Sequence, residues 1–252
     1  MIYNETIQSE KLYSKIAEAY DQIFERAILA EGRLTSVVRR YMDDKSILDL
    51  ACGNGRWLRR FSPASYIGID LNQRMLEQAR AEFPRHTFLQ ANMINLPFPD
   101  ASFEGVVSLF GAMGHLPPKG QERMIREVHR VLREDAVAIL TNGNMWSPFN
   151  LPTTLKRNRI KLEGVYLKVH SSTPTLFEKL LRNEEFEVMN ISSYDYSYLP
   201  IAPLKLGASL LDENYRHAYS RIMDVLENCQ HIPILKWFGK QLVAVCRKPR
   251  CI

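Results

Sequence analysis

Cysteine is scarce in this chain of 252 residues. The four present, Cys52, Cys229, Cys246 and Cys251, form no CxxC pair and no metal-ligand spacing, so ordinary reduced thiols are expected. Long apolar runs are missing too. None approaches the roughly 18 residues that a bilayer-spanning helix needs. The N-terminal stretch MIYNETIQSEKLYSKIAEAYDQ lacks a basic segment followed by an apolar one, so it does not read as a secretory signal; a cytoplasmic location is expected. Paired metal ligands are absent as well: His129, His170, His217 and His231 have no partners at ligand spacing, and no metal is expected. Internal repeats and low-complexity tracts are not found. A hydrophobic content of 46% and a charged content of 24% exclude a disordered or fibrous chain. The length favours one domain with a sizeable core.

Charge of one sign is also not in great excess. The formal net charge is +5, which reads as a mildly basic surface. One basic cluster, Lys156, Arg157, Arg159 and Lys161, lies far from the motif described below. DNA is not expected as a partner and RNA is disfavoured; the oligomeric state is left open.

Along the chain, Leu12, Ile16, Ala19, Tyr20 and Ile23 recur at helical spacing, as do Ile28, Leu34, Val37, Val38 and Tyr41. An alternation follows. Strands are predicted at 46–52, 65–70, 86–91, 103–110 and 136–142, with helices from Arg56 to Phe61, from Asn72 to Phe83 and from Gln121 to Leu132. Asn72 is a plausible N-cap. Strand-helix alternation implies right-handed crossovers and a parallel sheet covered on both faces. Residues 143–170 read as an insertion, 175–183 as a helix, 186–196 as a strand, 199–236 as a second insertion with a helix from Asp212 to Glu227, and 241–247 as a strand. Two late strands joined by an excursion predict an antiparallel edge on the sheet. The fold class is therefore α/β: a Rossmann-like, doubly wound, seven-stranded sheet with one antiparallel strand.

The informative segment is ILDLACGNGRW, residues 47–57. A strand runs into Cys52-Gly53-Asn54-Gly55 and out into a helix. Glycine lets the backbone turn tightly and approach a ligand without a Cβ clash. Ligands of open α/β sheets bind at the carboxyl ends of the strands, where strand order reverses. The next strand ends in Asp70, whose carboxylate can accept from both hydroxyls of a ribose. A nicotinamide dinucleotide wants a third small residue after GxG, and Leu58 stands there. Asp49, just before the turn, repels a pyrophosphate and suits a cation. S-adenosylmethionine, with a sulfonium, an ammonium and no phosphate, meets both conditions.

Asp49-x-Ala51-x-Gly53-x-Gly55 resembles the first motif of the class I S-adenosylmethionine-dependent methyltransferases, in the small-molecule branch related to ubiquinone and menaquinone methyltransferases. Ala51 stands where that family usually has glycine. GIDLNQRMLEQAR (68–80) resembles its second motif, LQANMINLPFPDASFEGVVS (89–108) its third, and EVHRVLREDAVAIL (127–140) its fourth, with Glu134-Asp135 replacing the usual Pro-Gly-Gly. The resemblance covers residues 11–142 well and the remainder loosely. It implies that Gly53 and Gly55, with Ala51 and Asn54 in the same loop, pass beneath the methionine part of the cofactor while Asp49 helps hold its ammonium. Asp70 would hold the ribose and Leu71 lie against the adenine. Asn92, where the family usually has Asp, would accept from the adenine amino group, Met93 would offer its backbone N–H, and Phe110 would border the methionine end.

Methyl transfer from a sulfonium is an in-line displacement in which the protein aligns the acceptor, excludes water and, for some acceptors, takes a proton. His115, in GAMGHLPP after the fourth strand, is the candidate general base; fixing that loop is the competing role. Tyr13, Tyr20 and Asp21 resemble the family's N-terminal lid. Asn142, Asn144 and Trp146 follow the fifth strand and could line the acceptor pocket. Tyr194, Tyr196 and Tyr198 alternate, so one strand face could reach it, although exposure is the default for strand tyrosines. Tyr13, His115, Asn142, Trp146 and Tyr196 are the candidate acceptor contacts. The expected organisation is one domain over 1–252, with a helical lid at 1–42, a cofactor core at 43–142 and acceptor caps at 143–170 and 199–236. The expected activity is methylation of O, N or C on a small acceptor. An RNA methyltransferase, a non-enzymatic cofactor-binding protein and an enzyme using the cofactor without methyl transfer are the alternatives; a strand-four tetrad of the Asn/Asp-Pro-Pro-Tyr type is absent, the chain reading SLFGAMG there.

Overall fold

The computed structural model describes residues 3–23, 32–148, 159–162, 165–195, 221, 225 and 237–250. The strands are β1 (Ser46–Leu50), β2 (Ser65–Asp70), β3 (Thr87–Gln90), β4 (Phe103–Ser108), β5 (Leu132–Gly143), β6 (Arg159–Leu162), β7 (Val165–Lys168), β8 (Glu187–Tyr194) and β9 (Gln241–Arg247). Seven form one sheet in the order β3-β2-β1-β4-β5-β9-β8, and β6 pairs with β7. Pairs among β1 to β5 are parallel, whereas β9 runs antiparallel to both β5 and β8. Strand order reverses between β1 and β4, which opens a crevice at their carboxyl ends.

The helices follow local signals. α1 (Asn4–Ile16), a 3-10 turn (Ala17–Ala19) and α2 (Tyr20–Ile23) precede α3 (Gly32–Met42). α4 (Gln73–Glu82) starts as predicted, the Asn72 side chain accepting from the Met75 N–H. α5 (Pro118–Val131) starts earlier than predicted because Pro118 occupies its first turn, where a missing N–H costs nothing. α6 (Pro174–Asn183) is capped by Thr173.

Successive residues of the sheet serve opposite layers. Leu48 and Leu50 pack with Met124, Ile125 and Val128 of α5 and with Phe177 and Leu181 of α6. Ile47 and Val107 pack with Leu34, Val38 and Met42 of α3 and with Leu76 and Ala79 of α4. Each of these side chains except that of Ala79 contributes about 1.5–3 kcal/mol by burial. A third, smaller cluster joins Leu12 and Ile16 of α1 to Met75 and to Leu167 of β7.

Three departures have local causes. The helix predicted from Arg56 is only a 3-10 turn, Arg56–Arg59; Pro63 follows closely, and a residue before proline is pushed out of helical geometry. β5 begins at Leu132 rather than Ala136, because Leu132 pairs with Phe103. Asp135 then takes a left-handed conformation (φ 61°), which explains why glycine is usual at that place. Tyr194 is fully buried rather than exposed. The β6–β7 pair inside the 143–170 insertion carried no clear signal in the sequence. Tyr196, Tyr198 and most of the 199–236 insertion lie outside the described residues. Among the described residues no helix is long and apolar enough to cross a membrane.

Candidate functional site

The chain leaves β1 through a turn in which every second residue is left-handed: Ala51 (φ 57°), Gly53 (φ 56°) and Gly55 (φ 74°). Cys52 N–H donates to the Ile69 carbonyl at 2.9 Å, and Gly55 N–H donates to the Cys52 carbonyl at 3.0 Å. The two glycines face different neighbours. A Cβ on Gly53 would meet Met75 Cε at 3.3 Å, in the wall of the crevice, whereas one on Gly55 would meet the Phe83 and Phe88 rings at 3.2 Å. Ala51 holds the same conformation with a side chain, at a cost of about 1–2 kcal/mol.

Two carboxylates flank the turn. Asp70 accepts from Gly53 N–H at 2.9 Å through one oxygen and from Asn72 N–H at 2.8 Å through the other, so the turn and the start of α4 set its orientation. Burial raises its pKa, the nearby Glu10 adding to this against those backbone donors. Asp49 accepts a 2.6 Å hydrogen bond from the Tyr66 hydroxyl. Its pKa is pushed up to about 7, chiefly by burial, with Asp70 repelling its charge and Tyr66 and Arg56 opposing the rise. Asp49 is buried and Asp70 part-buried, and a cation entering the crevice would favour the ionised form of both.

The crevice is a cavity of about 920 Å³ counted to its open mouth. α1 roofs it with Thr6, Ser9, Glu10 and Tyr13, and Tyr20 continues that wall. Tyr13 and His115 share a 3.0 Å hydrogen bond between the hydroxyl and Nε2, and their rings meet edge to face. Burial lowers the His115 pKa to about 4, so the ring is neutral above pH 5. Burial and the Tyr20 and Asp70 groups hold the Tyr13 hydroxyl protonated. The roof is tied down a second time by Asp21, which accepts from Asn54 Nδ2 at 3.2 Å and from Arg59 Nη1 at 3.2 Å.

Of the residues anticipated from sequence, Tyr13, Tyr20, Asp49, Ala51, Gly53, Asn54, Asp70, Leu71, Met93, Phe110 and His115 line this one cavity. Four others lie elsewhere. Gly55 turns its bare face to the core, as above. Asn92 accepts from the Ile94 N–H at 3.2 Å and serves its own loop. Asn142 is fully buried behind the wall, donating to Gln121 at 3.5 Å and accepting from Gly143 N–H at 2.8 Å. Trp146 is 46% exposed and packs edge to face on Trp237. Asn144, also considered, is buried and donates to the Trp237 and Gly239 carbonyls. Tyr196 lies outside the described residues.

The sequence reading missed Glu10, Arg56, Trp57 and Asn72, all in the wall. Thr6, Glu10 and Tyr13 recur on one helix face, which was a usable signal. Asn72 was read only as a cap, yet it also donates to the Glu10 carbonyl and to Ser14 Oγ, stitching α1 to α4. Nothing local marked Arg56.

The wall fits a cationic nucleoside. It combines a bare glycine, two acids raised by burial, and three buried polar atoms that make no hydrogen bond within the protein: Thr6 Oγ1, Trp57 Nε1 and His115 Nδ1. Residues 47–135 match the family described as Methyltransferase domain. A demethylmenaquinone methyltransferase of Thermotoga maritima is 31% identical over 168 residues, 63% of this chain and 68% of the relative. An uncharacterized protein of Methanocaldococcus jannaschii is 28% identical over 206 residues, 81% of this chain and 78% of the relative. The solved structure of an S-adenosylmethionine-dependent methyltransferase from Thermotoga maritima superposes with a TM-score of 0.63 at 15% identity, covering 94% of this chain and 99% of its own, which speaks to the fold. The identity to the Thermotoga relative across most of that protein's length decides the matter: this chain belongs to the S-adenosylmethionine-dependent methyltransferases, is an enzyme of that kind, and takes S-adenosylmethionine as its cofactor.

Proposed function

We propose that the enzyme methylates O, N or C of a small-molecule acceptor. The observation that carries this reading is the roof. Helix α1 covers the cavity and is pinned to its far side by Tyr13 and His115, making a chamber suited to a small guest. The name of the Thermotoga relative, which refers to a quinone, agrees with it.

The cofactor supplies an electrophilic methyl group whose leaving group is a neutral sulfide. In our reading Asp70, already oriented by two backbone donors, grips the ribose hydroxyls. Asp49 would favour the positive charge of the methionine end, Gly53 would let the backbone approach, Leu71 would lie against the base and Met93 would offer it a backbone N–H. Tyr20 and Phe110 close the methionine end and exclude water. Residues 1–42 would act as the lid, and the 143–170 and 199–236 insertions would serve the acceptor side.

His115 is the candidate base, and its surroundings define how it could serve. With Tyr13 donating to Nε2, the imidazole proton lies on Nδ1 and the ring is a neutral acceptor. An acceptor hydroxyl would pass its proton to Tyr13 as Tyr13 passes its own to His115. The lowered pKa limits this help to acceptors whose proton becomes acidic as the methyl group moves.

The test is mass spectrometry of a metabolite extract incubated with enzyme and methyl-labelled cofactor, wild type beside Asp70→Ala. Label should enter small molecules only with wild type, and Asp70→Ala should bind cofactor about a hundredfold more weakly, two charged hydrogen bonds being lost. Label appearing in purified RNA instead, or unchanged calorimetric affinity in Asp70→Ala, would overturn the reading.

A further inference from the structure

Tyr66 of β2 is buried, polar and outside the cavity. It is 3% exposed, yet its hydroxyl donates the 2.6 Å hydrogen bond to one oxygen of Asp49, which does line the cavity. The pairing of β1 with β2 explains the reach. Asp49 stands opposite Gly68, and Tyr66 stands two residues earlier on the same face of β2. The ring must therefore lean along the strand, across Gly68, to bring its hydroxyl to Asp49. Gly68 leaves that path open. A Cβ there would meet Tyr66 Cε1 at 3.0 Å, Phe88 Cδ1 at 2.9 Å and Cys52 Sγ at 2.7 Å. Phe61, His86 and Phe88 brace the ring, with centroids at 6.4, 5.6 and 5.8 Å.

The groups that face Asp49 act on its charge in different ways. Burial favours the neutral acid, Asp70 at the end of β2 repels the charged one, and the Arg56 guanidinium in the following 3-10 turn attracts it. The Cys52 thiol, held protonated by burial, adds no charge. Burial and the neighbouring Asp49 likewise hold the Tyr66 hydroxyl protonated, so it is a standing donor. A donor bonds a carboxylate more strongly than it bonds a neutral acid. Tyr66 thus favours the charged acid without placing a positive charge where a cationic ligand must enter. The other Asp49 oxygen accepts no hydrogen bond from the described residues. From these contacts we infer that Tyr66 is the positioning residue of Asp49: it fixes one carboxylate oxygen, leaves the other to the ligand and keeps the acid charged for the cationic cofactor. The inference rests on the reading that Asp49 meets the positive charge of the cofactor. Tyr66 itself touches neither cofactor nor acceptor.

The test is calorimetric affinity for S-adenosylmethionine from about pH 5 to about pH 8 in wild type, Tyr66→Phe, Asp49→Asn and the double variant. Circular dichroism confirms each fold, and the uncharged nucleoside 5′-deoxy-5′-methylthioadenosine is the control ligand. Wild-type affinity should fall as pH drops and the acid takes up its proton. Tyr66→Phe should move the midpoint of that fall upward by about one pH unit or more, the weight of a hydrogen bond to a charged group, which makes binding near neutrality about tenfold weaker. Methylthioadenosine should bind that variant as it binds wild type. Asp49→Asn should lose the fall, and Tyr66→Phe should then add nothing to it. A midpoint that Tyr66→Phe leaves in place overturns the inference. Equal weakening of both ligands at every pH overturns it too, since Tyr66 is then a packing element. Should Tyr66→Phe not fold, site-specific 3-fluorotyrosine at position 66 keeps the shape and strengthens the donor; it should lower the midpoint, and an unmoved or raised midpoint overturns the inference. A wild-type profile that Asp49→Asn leaves unchanged would instead sink the reading of Asp49, and the inference with it.

Discussion

Asp49 shows what one residue costs and supplies. Its carboxyl is raised from 3.8 in a free chain to about 7 in the folded protein. A group whose folded pKa is raised binds more protons folded than unfolded between those values, so its contribution falls as pH rises from about 4 through 7. His115 acts oppositely, because a lowered folded pKa makes stability rise between pH 4 and 6.5. The two oppose each other below pH 6.5, and the Asp49 penalty is complete above pH 7. Asp49→Asn should therefore stabilise the cofactor-free protein at pH 8 by about 2–4 kcal/mol in chemical denaturation, the Tyr66 hydroxyl still finding an amide oxygen. The same variant should bind S-adenosylmethionine more weakly. In wild type, cofactor affinity should decline as pH falls below 7, since a cation prefers the ionised acid; a flat profile would show that Asp49 does not face the charge. Ala51 offers a second test. Ala51→Gly removes a Cβ from a left-handed residue, offset by greater freedom of the unfolded chain, and should leave the protein more stable by about 0.5–1 kcal/mol. A destabilised variant would contradict the strain assigned to that turn.

Among elements, α1 is the one whose attachment is functional. It buries Leu12 and Ile16 in a cluster much smaller than those on the sheet faces, and its other ties are polar: Tyr13 to His115, and Asn72 to the Glu10 carbonyl and Ser14. Segments with few buried apolar contacts open most readily. Tyr13→Phe removes the hydroxyl that reaches His115 and keeps the ring. If the pair only fastens the roof, Tyr13→Phe and His115→Ala should weaken cofactor binding alike, by about five- to tenfold, and speed amide exchange in α1. If His115 takes the acceptor proton, His115→Ala should lower turnover at saturating cofactor and leave cofactor affinity within twofold. Turnover by His115→Ala that is unchanged across pH would remove the base role.

At the scale of the molecule, the β1 turn, the end of β2, the start of α4 and the roof bound one cavity, so a cofactor seated there would add contacts to all four. A ligand that binds only the folded state stabilises by mass action, about 2.7 kcal/mol at a hundredfold excess over its Kd. Thermal melts should rise by a few degrees with saturating S-adenosylmethionine, and Asp70→Ala should lose that rise at equal concentration. The predicted strand positions were nearly right over β1 to β4 and at β9, because each is a short run rich in apolar and β-branched residues and bounded by polar or turn residues. Helix ends were read well where Asn72 and Thr173 cap them. The hairpin β6–β7 escaped notice because two short strands carry little periodicity.

The sequence by itself determined the alternating architecture, the turn from Asp49 to Gly55 and the acid at Asp70, since each follows from local rules of periodicity, backbone sterics and strand-end chemistry. Tertiary structure decided which of the nearby residues share the cavity. Asn92 lies next to wall residues in sequence, and Asn142 and Trp146 follow a strand of the sheet, yet the three spend their side chains on a loop, a helix glutamine and a partner ring. Glu10 and Arg56 reach the wall from separate elements. The physical reason is that a residue's hydrogen-bond and packing partners are set by which elements meet, and in this fold the meeting of α1 with the strand ends joins residues as far apart as Tyr13 and His115.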